Sequence, residues 1–337
     1  MMRALLAAPL LLLAAAAAGP DQSEVVIGPD YADAPEMAVD PAVPKGAIHG
    51  FVMRSEESAL YPGIRQLQND VTARRDAWGN RMAAPDEQQS EPAPYRRNVY
   101  VYIPAGAKKG VPLPFMVVQD GEWYAARIGT VLDNLIAAHR VPAMAAILIH
   151  NGGGDAQGSE RGLEYDTMSG RYAEFVEAEV LPRVERYYGI RLRRDPMGRA
   201  TMGASSGASA ALAMAWYHPE WYRRVLSYSG TFVNQASPVD PATPRGAWEF
   251  HATLIPNAPP RPIRLWMAVG EKDLHFDDPE ASWHNWPLAN QRMAAALKSK
   301  GYAYRFVWAL GGTHSDARVT AATLPGAIEW LWADYRP

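Results

Sequence analysis

Arg199-Ala-Thr-Met-Gly-Ala-Ser-Ser-Gly-Ala-Ser-Ala-Ala-Leu-Ala-Met-Ala-Trp-Tyr217 reads as a strand end, a turn and a helix. The turn is Gly203-Ala204-Ser205-Ser206-Gly207, a G-x-S-x-G pattern. A short apolar run precedes it, and an alanine-rich run stopped before Pro219 follows it. A nucleophile elbow demands that strand–turn–helix context. The elbow holds a serine at a tight, strained bend, and its flanking glycines let strand and helix approach without Cβ clashes. The helix N-terminus then points amide dipoles at the reacting centre. The glycine frame selects among three serines. Ser205 has glycine two before and two after, whereas Ser206 has Ala204 and Ala208, and Ser209 has Gly207 and Ala211. Ser205 is therefore the candidate nucleophile, the Ser206 N–H a candidate oxyanion donor, and Ser209 a small residue for helix packing. The competing reading is a Gly/Ser turn without chemistry, so partners must decide.

Outward from the turn, strand-like and helix-like segments alternate. Phe115-Met-Val-Val-Gln119, Ala145-Ala-Ile-Leu-Ile-His150, Val225-Leu-Ser-Tyr228 and Ile263-Arg-Leu-Trp-Met-Ala-Val269 are short apolar runs, as expected of strands buried on both faces. Tyr302-Ala-Tyr-Arg-Phe-Val-Trp308 is a further strand. Between them lie helical patterns at Thr130–Ala138, Arg171–Tyr188, Leu288–Lys300 and Thr320–Trp332. His49–Arg54 and Asn98–Pro104 read as an antiparallel edge pair. This alternation predicts an α/β fold, a mostly parallel central sheet with helices on both faces. Reactive groups in such folds gather at the carboxyl ends of strands.

A serine hydroxyl needs a base, and the base needs an orienting acid. The elbow's chain order is serine, acid, histidine. Of the eight histidines, His314 lies in Gly311-Gly-Thr-His-Ser315, after the last strand and before the last helix, where the base is delivered. His218, His251, His275 and His284 fit capping or surface roles better. The acid should follow the strand ending at Val269. Asp273 in Gly270-Glu-Lys-Asp273 is the first choice, with Glu271, Asp277 and Asp278 as competitors. The second oxyanion donor is expected from Asp120-Gly-Glu-Trp123, as the N–H of Gly121 or Glu122.

Other features are weighed against plainer readings. Asn151-Gly-Gly-Gly-Asp-Ala-Gln-Gly158 lacks the Gly-Lys-Ser/Thr of a phosphate loop and reads as a mobile loop beside the site. Arg161 and Glu164 either orient a substrate or pair with each other. Trp123, Trp283 and Trp286 fall in loops at the expected active face and are candidates to line an aromatic or sugar pocket. The Pro-rich stretch from Thr231 to Pro262 is expected to shape or cover it. No metal site is expected, because ligand spacing around His275 and His284 is irregular. No cofactor is expected either.

The 337 residues, with a formal net charge of -3 and mixed charge signs, contain no basic block for nucleic acid. There is no cysteine, which excludes disulfides, thiolate metal sites and a cysteine nucleophile. Residues 1–18 combine a basic start, an apolar core and Ala16-Ala17-Ala18, the pattern of a cleaved signal peptide. The apolar run is shorter than the roughly 20 residues a spanning helix needs. The expectation is export to the periplasm or medium, with no stable membrane insertion after cleavage. Residues 19–45 read as a flexible linker or loosely docked arm, and 46–337 as the catalytic domain.

With these residues placed, the chain resembles the putative-esterase family of α/β-hydrolases, which includes enterochelin-esterase-like, esterase-D-like and feruloyl-esterase-like proteins. The resemblance rests on Val117-Val-Gln-Asp-Gly-Glu-Trp123, Leu163-Glu-Tyr-Asp166, Gly203-Ala-Ser-Ser-Gly207, Asn285–Leu297, Gly301–Phe306 and Gly311-Gly-Thr-His314. It implies an α/β-hydrolase fold and a serine hydrolase of carboxylic esters, with Ser205, His314 and Asp273 as its triad. The expected substrate is a small-molecule or glycan ester. The alternatives are a siderophore esterase, an acyltransferase on the same elbow, and a binding protein on a hydrolase scaffold.

Overall fold

The computed structural model describes residues 21–66, 90–153 and 159–336. The expected signal peptide lies outside them. Nine strands form one sheet: β1 (Gln22–Ile27), β2 (Ala47–Arg54), β3 (Arg96–Ile103), β4 (Phe115–Gln119), β5 (Ala145–Ile149), β6 (Arg199–Ala204), β7 (Arg224–Tyr228), β8 (Arg264–Gly270) and β9 (Ala303–Ala309). Their order across the sheet is β1-β9-β8-β7-β6-β4-β5-β3-β2. Every pairing from β1 to β5 is parallel; β3 pairs antiparallel with both β5 and β2.

The all-apolar strands occupy the middle, where both faces are covered. Every residue of β4, β5, β6 and β7 is buried. Side chains alternate between two cores, as strand geometry requires. Phe115 and Val117 join one core, with the helical segments Arg171–Tyr188, Ser206–Tyr217 and Trp286–Ser299. Met116 and Val118 join the other, with the helices Ala125–Ala137 and Ala317–Trp332. The expected helix Arg171–Tyr188 is one continuous run with a π turn at Val176–Val180. The helix expected from Thr130 begins five residues earlier, at Ala125. No helix among the described residues is long and apolar enough to cross a membrane.

The reading of residues 19–45 as a loosely docked arm requires correction. Gln22–Ile27 pairs parallel with β9 over six residues and becomes the sheet's edge. The segment then stays attached: Tyr31 donates to the Leu310 carbonyl at 2.6 Å, and Ala34 N–H to the Ala321 carbonyl at 3.0 Å. The missing signal has a physical cause. An edge strand need bury little, and Val25 and Val26 remain 40% and 63% exposed. The Pro-rich stretch after Thr231 also packs inward, burying Phe232, Val233, Trp248 and Phe250.

Candidate active site

Four strand ends deliver the candidate residues to one edge of the sheet. Ser205 follows β6, Asp273 follows β8, His314 follows β9, and the turn Gly121–Trp123 follows β4. Ser205 sits at φ 55°, in a region that non-glycine residues rarely occupy. The bend is held by the Ser205 N–H on the Tyr228 carbonyl at 3.0 Å and the Thr231 N–H on the Ser205 carbonyl at 3.2 Å. Gly203 permits it: a Cβ there would stand 2.3 Å from the Gly207 backbone.

His314 Nε2 lies 2.9 Å from Ser205 Oγ, and His314 Nδ1 lies 2.5 Å from Asp273 Oδ1. Asp273 is buried, and the Leu274 N–H also donates to Oδ1 at 2.7 Å. With Nδ1–H donated to this carboxylate, Nε2 keeps a lone pair facing Ser205 Oγ, the arrangement a general base needs. Two of the competing acids are turned elsewhere. Glu271 accepts from the Gly311 N–H at 2.8 Å, and Asp278 meets His275 at 3.0 Å. The His314 loop is tied down by the Ser315 N–H on Ser229 Oγ at 2.8 Å.

Two sets of backbone amides stand at this edge. The helix Ser206–Tyr217 starts at Ser206, so its first N–H groups have no partner within the helix. In the turn after β4, Trp123 and Tyr124 donate back to the Asp120 and Gly121 carbonyls, leaving the Gly121 and Glu122 amides ahead of the first bond. The Glu122 carboxylate lies 3.3 Å from His150 Nε2.

Arg161 and Glu164 pair apart from each other. Arg161 Nη2 meets Asp120 Oδ2 at 2.8 Å, and Glu164 is buried against Arg97. Trp123 is 68% exposed beside the turn. Trp283 is half-buried under Arg245. Trp286 is buried: His275 stacks on it, and His314 stands edge-on to it at 6.0 Å. Trp286 therefore backs the histidine rather than lining open space. His251 is buried against the Phe232 carbonyl, and burial pulls its pKa down to about 4. Of the loop 151–158, residues 154–158 lie outside the described residues; Asn151 donates to Asp120 Oδ1 at 2.6 Å.

Sequence reasoning missed several polar residues here. Asp120 adopts φ 49° and is held by Arg161 and Asn151. Gln235 Nε2 bridges Asp166 Oδ2 at 2.8 Å and Ser206 Oγ at 2.9 Å. Thr231 Oγ1 lies 3.4 Å from Ser205 Oγ. The Asp-Gly pair after β4 was the available signal for Asp120; Gln235 carried none.

A family model described as putative esterase matches residues 90–328. No protein of curated function matches the chain by sequence. Among solved structures, the enterobactin esterase of Shigella flexneri with 2,3-dihydroxy-N-benzoyl-serine superposes at TM-score 0.52 and 20% identity, covering 71% of this chain and 56% of its own. A ferulic acid esterase of the anaerobic fungus Anaeromyces mucronatus, solved without substrate, gives TM-score 0.58 and 13% identity, covering 88% and 94%. Another ferulic acid esterase gives 0.54 and 14%, covering 86% and 98%. At such identities the likeness is one of fold. The chain spans little more than half of the Shigella enzyme and nearly all of the fungal one.

Proposed function

The chain belongs to the putative esterase family, and from that premise we propose that it is an exported serine hydrolase of carboxylic esters. The observation that carries this reading is the hydrogen-bonded run Ser205 Oγ–His314 Nε2, His314 Nδ1–Asp273 Oδ1. Ser205 Oγ attacks the ester carbonyl carbon while its proton passes to His314 Nε2. The negative oxygen of the tetrahedral intermediate takes the N–H of Ser206 and that of Gly121 or Glu122. Collapse breaks the bond to the alkoxy oxygen, and His314 returns its proton to the departing alcohol. Water, deprotonated by the same imidazole, then releases the acid and restores Ser205.

The substrate reading is a carbohydrate-linked or other small ester. Exposed Trp123, with Leu274 and Phe276 exposed just past Asp273, supports an apolar or ring-shaped group at the mouth of the site. The run of residues 1–18 supports export to the periplasm or medium. The test is a hydrolysis screen over p-nitrophenyl esters, feruloyl sugars and cyclic siderophores, with Ser205→Ala as control. Wild type should turn over at least one class and label with a fluorophosphonate. Ester hydrolysis that survives Ser205→Ala undiminished would remove Ser205 from the mechanism.

A further inference from the structure

The end of the sheet opposite Ser205 gathers arginines. β7 and β8 open on Arg224 and Arg264, which are register partners on neighbouring parallel strands. Arg223 precedes the first, and Arg261 stands three residues before the second. All four line one cleft of roughly 350 Å³, in which Asp334 is the single acidic lining residue. Asp334 pairs with Arg224, and Asp21 meets Arg264 at 2.8 Å. Four positive charges stand against Asp334, Asp21 and, within reach of Arg261, Glu220, which leaves a surplus of one at this end.

Helix ends account for only part of that charge. Arg224 donates to the Leu331 carbonyl, Arg264 to that of Trp330, Arg261 to that of Trp216, and Arg223 Nε to that of Pro219. Those carbonyls end or follow the helices Ala317–Trp332 and Ser206–Tyr217, where the negative dipole end favours cations. A guanidinium has five N–H donors. Arg224 spends three of them, on the Met197 and Leu331 carbonyls and on Asp334, and Arg264 spends three on the Trp330 carbonyl and Asp21, whereas Arg223 and Arg261 each make one such bond to the described residues. Arg224 Nη2 is buried without a hydrogen-bond partner among the described residues, in a side chain only 1% exposed. Leaving such a donor unmet is costly. Burial, with the Arg264 charge behind it, holds Arg224 below the ordinary arginine pKa. Fold stability alone does not call for like charges side by side on adjacent strands.

We propose that this cleft binds a multivalent oxyanion, a phosphate or sulfate group, through the unused guanidinium N–H groups of Arg223, Arg224 and Arg261. Planar guanidinium forks match the tetrahedral face of such an anion in paired hydrogen bonds. The site is separate from the ester centre. β6 runs six residues from this end before Ser205, about 20 Å of strand. The anion is either free in solution or the headgroup of an anionic lipid.

Calorimetric titration of the full chain with inorganic phosphate, at ionic strength held constant with chloride, tests the site. One saturable site is expected, weakened at least tenfold in the double variant Arg223→Gln/Arg261→Gln. Hydrolysis of a p-nitrophenyl ester in that variant should stay at the wild-type rate, which establishes that it is folded. The double variant Arg223→Lys/Arg261→Lys, which keeps the charge and loses the fork, should fall between. Sedimentation with phosphatidic acid vesicles separates the sources: a lipid site carries wild type but not the double variant into the pellet, and a free-anion site leaves both in solution. No saturable phosphate binding, or binding equal in wild type and double variant, overturns the proposal.

Discussion

At the residue scale, Asp273 shows what a one-dimensional reading holds and what it lacks. The end of β8 places the candidate acid within a short loop, where the elbow's chain order expects it. Choosing among Glu271, Asp273, Asp277 and Asp278 needed side-chain direction, which spacing does not encode. Glu271 turns to the Gly311 amide, and Asp273 turns to His314. The consequence is testable. Asp273→Asn keeps the shape but favours the wrong imidazole tautomer, so kcat should fall by about 10⁴ with KM little moved. Glu271→Gln should leave kcat within a few-fold, since its carboxylate only accepts from a loop amide. Steady-state kinetics on one p-nitrophenyl ester decide both, and equal losses in the two variants would reassign the acid.

At the element scale, the elbow was legible because its glycines answer a backbone demand. A methyl group at Gly203 would stand 2.3 Å from the Gly207 backbone, in a helix packed directly on β6. Gly203→Ala should therefore lower stability by about 3 kcal/mol, as overpacking against backbone does, and its unfolding midpoint in urea should report this. The helix Glu160–Tyr165 was far less legible. Glu164 reads in sequence only as a residue that orients a substrate or pairs with Arg161, and nothing there singles out Glu160, yet both are buried. Glu164 pairs with Arg97, while Glu160 accepts from the Ile64 N–H at 2.8 Å. Burial first, and the Glu164 charge second, lift the Glu160 pKa from 4.5 to about 7. The native state thus keeps a proton that the unfolded chain releases. This contribution to stability is complete below about pH 4.5 and is lost as pH rises towards 7. In Glu160→Gln that loss should vanish, leaving a flatter dependence of melting temperature on pH across this window than in wild type. An unchanged slope would show that Glu160 is not the titrating group.

At the scale of the whole molecule, the parallel sheet and the position of the site at its carboxyl edge followed from the order of apolar runs. The contribution of residues 21–34 did not, because its partners are nearly 300 residues away in sequence and its strand is half exposed. That segment bears directly on the candidate base. Leu310 N–H donates to the Ile27 carbonyl at 2.9 Å, and the Leu310 carbonyl accepts from Tyr31 at 2.6 Å. Leu310 opens the loop that carries His314, so the edge strand fixes where that loop departs from β9. A shift of about 1 Å at a catalytic group costs as much as 10²-fold in rate. Deleting residues 21–30 should accordingly lower both the melting temperature and kcat, the latter by up to about 10²-fold, with KM nearly constant. Tyr31→Phe, which removes one hydrogen bond worth about 1 kcal/mol, should move both quantities in the same direction but only slightly. A deletion variant that melts earlier yet keeps wild-type kcat would show that the edge strand stabilises the sheet without holding the histidine loop.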